Sequence, residues 1–354
     1  MAVTDKDIYT RQLLMSALEQ VPPAHDFLHQ TFFGATVTHT TPDVKLDIYK
    51  GKRHTAKFVN PIRKGNVVER DGYITKTTRP AYIKEMRAIR PSDTQYRAPG
   101  ENPYVQKTPE AIAEEMVGKD MRELDSRISR LEETMCAQAL FNGEVIVKGD
   151  GWDASVEFGY TTGTAIEDNI KILSGSDTWD AADAKPLEDI DKWRLEIIQR
   201  CGISPTHCII SHDVAWPFIK NAQVKEIADN LRFKMAEINP QNFEAQGICD
   251  LGFFALPTGQ VKVSIYNEWY IDSDGKEKPM VPSGTVLLGS NLARCEMHYG
   301  MIQNMNCLRA VPRWPHVWTE DDGSARWVQL ESAPMPNIFQ PDAFTVAKVL
   351  GGVI

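Results

Sequence analysis

The chain has 354 residues, 42 % of them hydrophobic and 25 % charged, with a net charge of −9. That is enough apolar material for a real core and about two domains. No apolar run reaches the roughly 18 residues of a membrane span, and residues 1–20 lack the apolar centre of a signal peptide, so a soluble protein made in the cytosol is expected. The cysteines (Cys136, Cys201, Cys208, Cys249, Cys295, Cys307) form no C-x-x-C pair, which favours reduced, buried thiols over a disulfide frame or a metal site.

In chain order, residues 5–20 read as a short amphipathic helix carrying Ile8, Leu14, Met15 and Leu18, stopped by Val21-Pro22-Pro23. HDFLHQTFF (25–33) follows as a second apolar piece of the same arm. Its His25 and His29 lie at i, i+4, but HDFLH is not H-E-x-x-H and no third ligand is near, so no metal is expected. From Val37 to Arg90 the pattern turns to strands: VKLDIY (44–49), KFVNPI (57–62), GYITKTT (72–78) and AYIKEMRAI (81–89). The stretch from Lys45 to Arg90 carries 13 Lys/Arg against 4 Asp/Glu, a local +9 that leaves −18 for the rest. A two-stranded excursion with so little apolar content is marginal alone and needs a surface to lie on. Its own domain and a neighbouring subunit both fit. A DNA-reading ribbon fits less well, because basic and aromatic residues do not interleave.

Residues 91–107, rich in Pro and Gly, read as a linker into the stretch on which the rest hangs, PEAIAEEMVGKDMRELDSRISRLEETMCAQALFN (109–142). Thr108 is a good N-cap, Pro109 suits the first turn, acids crowd the start and Gly143 suits the end. Ile112, Met116, Met121, Leu124, Ile128, Leu131, Met135 and Ala139 make one stripe on a helix roughly 50 Å long. EVIVKG (144–149) and DASVEFG (153–159) then form a hairpin, and 161–186 is polar and acidic enough to be loop. From Leu187 the rhythm becomes α/β: a helix at 188–202, a buried strand at 206–213, and short helices at 216–221 and 224–231. Strands follow at 252–256, 262–271 and 285–290, with returning strands at 325–332 and 344–350.

The sequence does not ask to be an enzyme. It holds no G-x-G-x-x-G, no G-x-x-x-x-G-K-[ST] and no G-x-S-x-G. His207, Cys208 and His212 are the nearest approach to a nucleophile or ligand cluster, and Cys208 sits mid-strand where a small buried residue is expected. No catalytic residue, metal or cofactor is therefore assigned.

The order of arm, basic β-excursion, long helix, hairpin, α/β unit and returning strands resembles the major capsid proteins of tailed bacteriophages, the lambda-type family with the HK97-like fold. FVNPI (58–62), GNVVERDGYITKTTRPAYIK (65–84), VLLGSNLARCEMHYGMIQN (286–304) and SAPMPNIFQPDAF (332–344) carry the resemblance over about residues 27–349. It implies an α+β chain divided into an N-arm (1–44), an extended β-hairpin E-loop (45–104), a peripheral domain with the spine helix and β-hairpin (105–185) and an α/β axial domain (186–317). How the returning strands (318–354) divide between the last two domains is left open. By the same resemblance the chain would build hexamers and pentamers of an icosahedral shell around double-stranded DNA, part of a virion assembled in the host cytoplasm. Its partners would be its own copies, a portal, a decoration protein and, since the arm starts almost at once, a separate scaffolding protein; no membrane is involved. The E-loop residues expected at subunit contacts are Lys50, Lys52, Arg53, Lys57, Phe58, Arg63, Lys64, Tyr73, Arg79, Tyr82 and Lys84, with Phe58, Tyr73 and Tyr82 as anchors. An encapsulin-type cellular compartment is the alternative with the same fold.

Overall fold

The computed structural model describes residues 26–49, 55–56, 58–62, 64–65, 67–68, 72–95, 108–149, 152–181, 183–229, 236–237, 247–272, 274–307 and 310–351. The helix expected at 5–20 and residues 96–107 of the linker expected at 91–107 lie outside them, and Pro91–Gln95 at the start of that linker forms a short helix. The spine helix spans Pro109–Asn142, and Thr108 caps it by accepting from the Ala111 N–H at 3.3 Å. Gly143 ends it in the left-handed region at φ 68. A Cβ there would lie 2.3 Å from the Tyr160 ring, so Gly143→Ala should cost more than the 1–2 kcal/mol or so of backbone strain alone. A thermal melt of that variant checks it.

The expected stripe holds for Met121, Leu124, Ile128, Met135 and Ala139, which are buried, but Leu131 is 43 % exposed. The second half of the helix is instead enclosed on most sides, and Glu132, Glu133 and Thr134 are buried with Met135, Cys136 and Ala137. The reason is packing. The arm helix Phe27–Phe32 presses on it through Leu28 and Phe32, and the strands Pro334–Ile338 and Glu144–Gly149 pack on it as well.

Along its first half the spine lies on a three-stranded antiparallel sheet ordered Trp314–Thr319, Arg326–Ser332, Ile83–Ile89. Ile89, Val328 and Leu330 meet Val117, Met121, Leu124 and Ile128 there. This corrects one boundary: AYIKEMRAI does not extend the basic excursion. It alternates because one face serves the spine, where Arg87 reaches Asp120 at 3.0 Å and Glu123 at 2.7 and 2.9 Å.

The α/β unit is a seven-stranded mixed sheet. Its order is Ile170–Ile172, Thr345–Lys348, Thr285–Gly289, His207–Ser211, Gly259–Tyr266, Ile248–Leu256 and Ala236–Glu237. Pro186–Cys201 and His212–Lys220 cover it through Trp193, Ile197, Val214 and Phe218. The stretch 161–186 is not all loop, because Ile170–Ile172 forms the sheet edge and Asn169 donates to the carbonyls of Pro341 and Phe344 at 2.9 Å. The short helices begin earlier than expected, at His212 and Ala222. The returning segment supplies a strand to each of three sheets. Arg326–Ser332 joins the spine sheet, Pro334–Ile338 pairs with Cys295–Tyr299, and Thr345–Lys348 enters the seven-stranded sheet.

Candidate intersubunit interface

The excursion is a hairpin of Val44–Tyr49 against Tyr73–Thr78, with Tyr49 opposite Tyr73. Alternation in VKLDIY gives it one apolar face, and Val44, Leu46 and Ile48 are buried in the chain's own core beside Val145, Val156 and Phe158. Polar bonds tie the same root: Arg79 donates to Asp43 at 2.9 Å, Lys76 to the Glu157 carbonyl at 2.6 Å, and the Tyr49 N–H to the Phe339 carbonyl at 2.8 Å. The hairpin root therefore lies on its own body.

The residues beyond the paired strands differ. Phe58 is fully exposed, Ile62 and Val67 are more than 90 % exposed and Val68 is open to solvent; at the last paired positions Tyr73 and Ile74 are exposed as well. Scattered exposed apolar groups are ordinary on a monomer, whereas several large ones at one end of a hairpin are the pattern a contact surface would have. Lys64 lies exposed among them. Lys50, Lys52, Arg53, Lys57 and Arg63 fall outside the described residues. The remaining expected contacts already have partners within the chain. Arg79 pairs with Asp43. Lys84 lies 3.7 Å from Glu331, and the Tyr82 hydroxyl hydrogen-bonds the same carboxylate, which also accepts from Asn304 at 3.0 Å. Burial, then Glu331, raises the Tyr82 phenol above its ordinary range, and the ring packs beside Ile302, Cys307 and Trp314. Part of the local +9 is thus matched inside one chain.

The residues weighed for chemistry do not converge. Cys208 is fully buried, and burial pushes its thiol up to about 12. His207 hydrogen-bonds Thr206 at 2.8 Å, and His212 is exposed at the start of the next helix. Among the described residues no group of three His, Cys, Asp or Glu is placed to hold a metal.

Sequence reasoning missed four groups: Glu132, Glu133, Arg313 and Glu331. Glu133 accepts the Leu28 N–H at 2.7 Å, the His29 N–H at 3.0 Å and the Tyr266 hydroxyl at 2.9 Å. The first two are orphan donors at the start of the arm helix, so a spine carboxylate caps it from 105 positions away. Arg313 forks onto Glu132 at 2.6 and 2.7 Å and onto Asp125 at 3.0 Å. The only signal in the sequence was a charge inside an apolar run.

A stiff helix, a hairpin rooted in its own body with an open apolar tip, and a chain end that supplies a strand to each of three sheets together fit a subunit of a self-assembling shell. The comparisons agree. Residues 10–349 match the model of the family "Phage major capsid protein E", and the chain belongs to that family. It is 26 % identical over 352 residues to the major capsid protein of Escherichia phage lambda, covering 97 % of this chain and 99 % of that one. The major capsid protein of Enterobacteria phage P21 matches at 26 % identity over 357 residues, with the same coverage. Among solved structures, a capsid protein of an Escherichia coli CFT073 prophage superposes with a TM-score of 0.71 at 18 % identity, covering 96 % of this chain and 99 % of that one. A phage-related protein from Bordetella bronchiseptica does so with 0.54 at 13 % identity, covering 95 % and 96 %. The fold is the HK97-like α+β capsid fold, and the chain is a tailed-phage major capsid protein, a structural part of the virion that assembles into multimeric shells. The family match favours this over the compartment-shell alternative.

Proposed function

We propose that the hairpin 44–78 is the E-loop and that its tip lies on a neighbouring copy, joining subunits into hexamers and pentamers of an icosahedral shell. One observation carries the reading: a root held by buried Val44, Leu46 and Ile48 supports a tip that leaves Phe58, Ile62 and Val67 in solvent. Exposed ion pairs from the basic residues contribute only about 0–1 kcal/mol each, so the apolar tip supplies most of the adhesion and the charges set direction. The arm up to residue 44, the spine with its sheet and the seven-stranded unit then correspond to N-arm, peripheral and axial domains. Segment 79–95 belongs with the spine rather than with the E-loop.

The shell encloses double-stranded DNA and is built in the host cytoplasm with a portal, a scaffolding protein and a decoration protein. A net charge of −9 suits loose contact with a packaged polyanion, because phosphate-neutralising contacts would hinder its movement.

Electron microscopy of the protein expressed with its neighbouring phage genes tests the reading. Closed shells or rings are expected from the native chain. Phe58→Ser with Ile62→Ser should abolish them while leaving the circular dichroism spectrum and melting unchanged, because neither side chain is buried. Shells of normal yield from that variant would remove the tip from the interface. A monodisperse monomer from the native chain under all conditions would overturn the assembly reading.

A further inference from the structure

The strand Ala35–Thr38 runs parallel to Cys295–Tyr299, with Val37 opposite His298 and Thr38 opposite Tyr299. His39 continues it, donating its backbone N–H to the Tyr299 carbonyl at 2.9 Å. Its ring meets that of His298: Nε2 of His39 is 2.8 Å from Nδ1 of His298, with the ring planes 11° apart. That distance is a hydrogen bond, so one nitrogen carries a proton and the other offers a lone pair. Two neutral rings satisfy it, and so do one neutral ring and one cation. Two imidazolium rings do not, because they would set N–H against N–H with like charges in contact.

His298 is 4 % exposed, so a charge on its ring is poorly hydrated. The groups facing it are Glu296 and Arg294 from its own strand and the turn before it, His39 from the arm and Asp47 from the hairpin. The neighbouring strand Pro334–Ile338 contributes no titratable side chain. Glu296 Oε2 lies 3.5 Å from His298 Nε2, and its other oxygen, Oε1, accepts from Arg294 at 2.8 Å; Glu296 favours the charged His298, and burial with His39 outweighs it. The hairpin root meets the same place, where Tyr49 and His298 both pack on Phe339.

We propose that His39 and His298 form an acid-sensitive latch: with at most one proton charge between them they hold the arm strand and the hairpin root to the body, and double protonation releases both. Burial and then His39 hold His298 down to about 4, and burial lowers His39 from its ordinary value. For bases lowered in the folded state, the stabilising contribution is complete above the unfolded value of 6.5 and is lost as pH falls toward about 4. The arm helix should stay docked in the same range, because its receptor Glu133 favours the protonated form. The device lies within one chain and does not depend on the shell reading.

Hydrogen exchange of the full-length protein at about pH 7.5 and about pH 4.5, corrected for intrinsic chemistry, tests it, with residues 27–33 and the spine as internal references. Residues 35–43 should exchange at least about tenfold faster in acid while the references hold. In His39→Gln that acceleration should shrink or vanish. Should that variant misfold, ring nitrogen shifts of the native chain decide: His298 should titrate near 4, together with opening of the 35–39 amides. Equal protection of 35–43 at both pH values in the native chain, or an undiminished acid opening in a folded His39→Gln, would overturn the latch.

Discussion

Arg313→Ala is expected to destabilise the chain by about 3–5 kcal/mol, read as a lower urea midpoint at unchanged slope. The guanidinium makes two parallel bonds to Glu132 at 2.6 and 2.7 Å, one to Asp125 at 3.0 Å and one to the Ser332 hydroxyl at 3.1 Å. The side chains of Arg313 and Glu132 are only 15 % and 5 % exposed. Burial alone would lower the Arg313 pKa, but Glu132, Tyr299 and Asp125 outweigh it and raise it, so the cation is firmly held. Truncation strands the Glu132 carboxylate in a dry site, and that desolvation is most of the loss. Lysine should recover only part of it, because a single ammonium cannot reproduce the fork. Arg313→Met with Glu132→Gln should recover more than the sum of the single effects predicts, since the second change removes the stranded charge. A loss below about 1 kcal/mol for Arg313→Ala would mean water replaces the fork and that the loop preceding Trp314 is not pinned through it.

These buried acids show where reading the sequence stopped. The spine's ends were legible because caps are local: Thr108, Pro109 and Gly143 act within one turn. The hairpin was legible because VKLDIY alternates with one apolar face. Glu132 and Glu133 were not legible, because a charge on a long helix is ordinarily solvated and their partners Arg313 and Leu28 lie 181 and 105 positions away. The same limit explains the basic segment. Excess charge is visible in composition, but that Arg79 finds Asp43, Arg87 finds Asp120 and Lys84 finds Glu331 is decided by how the sheet folds back on the spine. Ile170–Ile172 escaped for another reason: three residues are too short for a period, and the edge forms because Thr345–Lys348 offers a ladder. Of the candidate contacts, Phe58, Lys64 and Tyr73 are exposed, whereas Tyr82 is drawn inward by a carboxylate no local pattern announces.

Glu133 should make the stability of the chain fall as pH rises through neutrality, opposite to the usual behaviour of a carboxylate. Burial pushes its carboxyl up to about 7, against the pull of the Leu28 and His29 amides and the Tyr266 hydroxyl. The unfolded value is 4.5, so between these pH values the folded chain holds a proton that the unfolded chain has released. The neutral form's contribution is therefore complete below about 4.5 and lost as pH rises through about 7, a swing on the order of 3 kcal/mol. Glu133→Gln removes the titration and keeps one acceptor for the amides and the hydroxyl. Subtracting its stability curve from the native one isolates this group from the histidine pair, whose slope runs the other way. The difference should slope downward from about pH 4.5 to about pH 7 and flatten beyond. A flat difference would mean the three donors hold Glu133 ionised throughout. Glu133→Ala gives the complementary result at any pH: two helix-start N–H groups and one phenol lose their acceptor, at about 1–3 kcal/mol each before water enters. The arm helix should then be the first part of the chain to gain hydrogen exchange, because the Leu28 and His29 N–H groups at its start are held by the spine carboxylate.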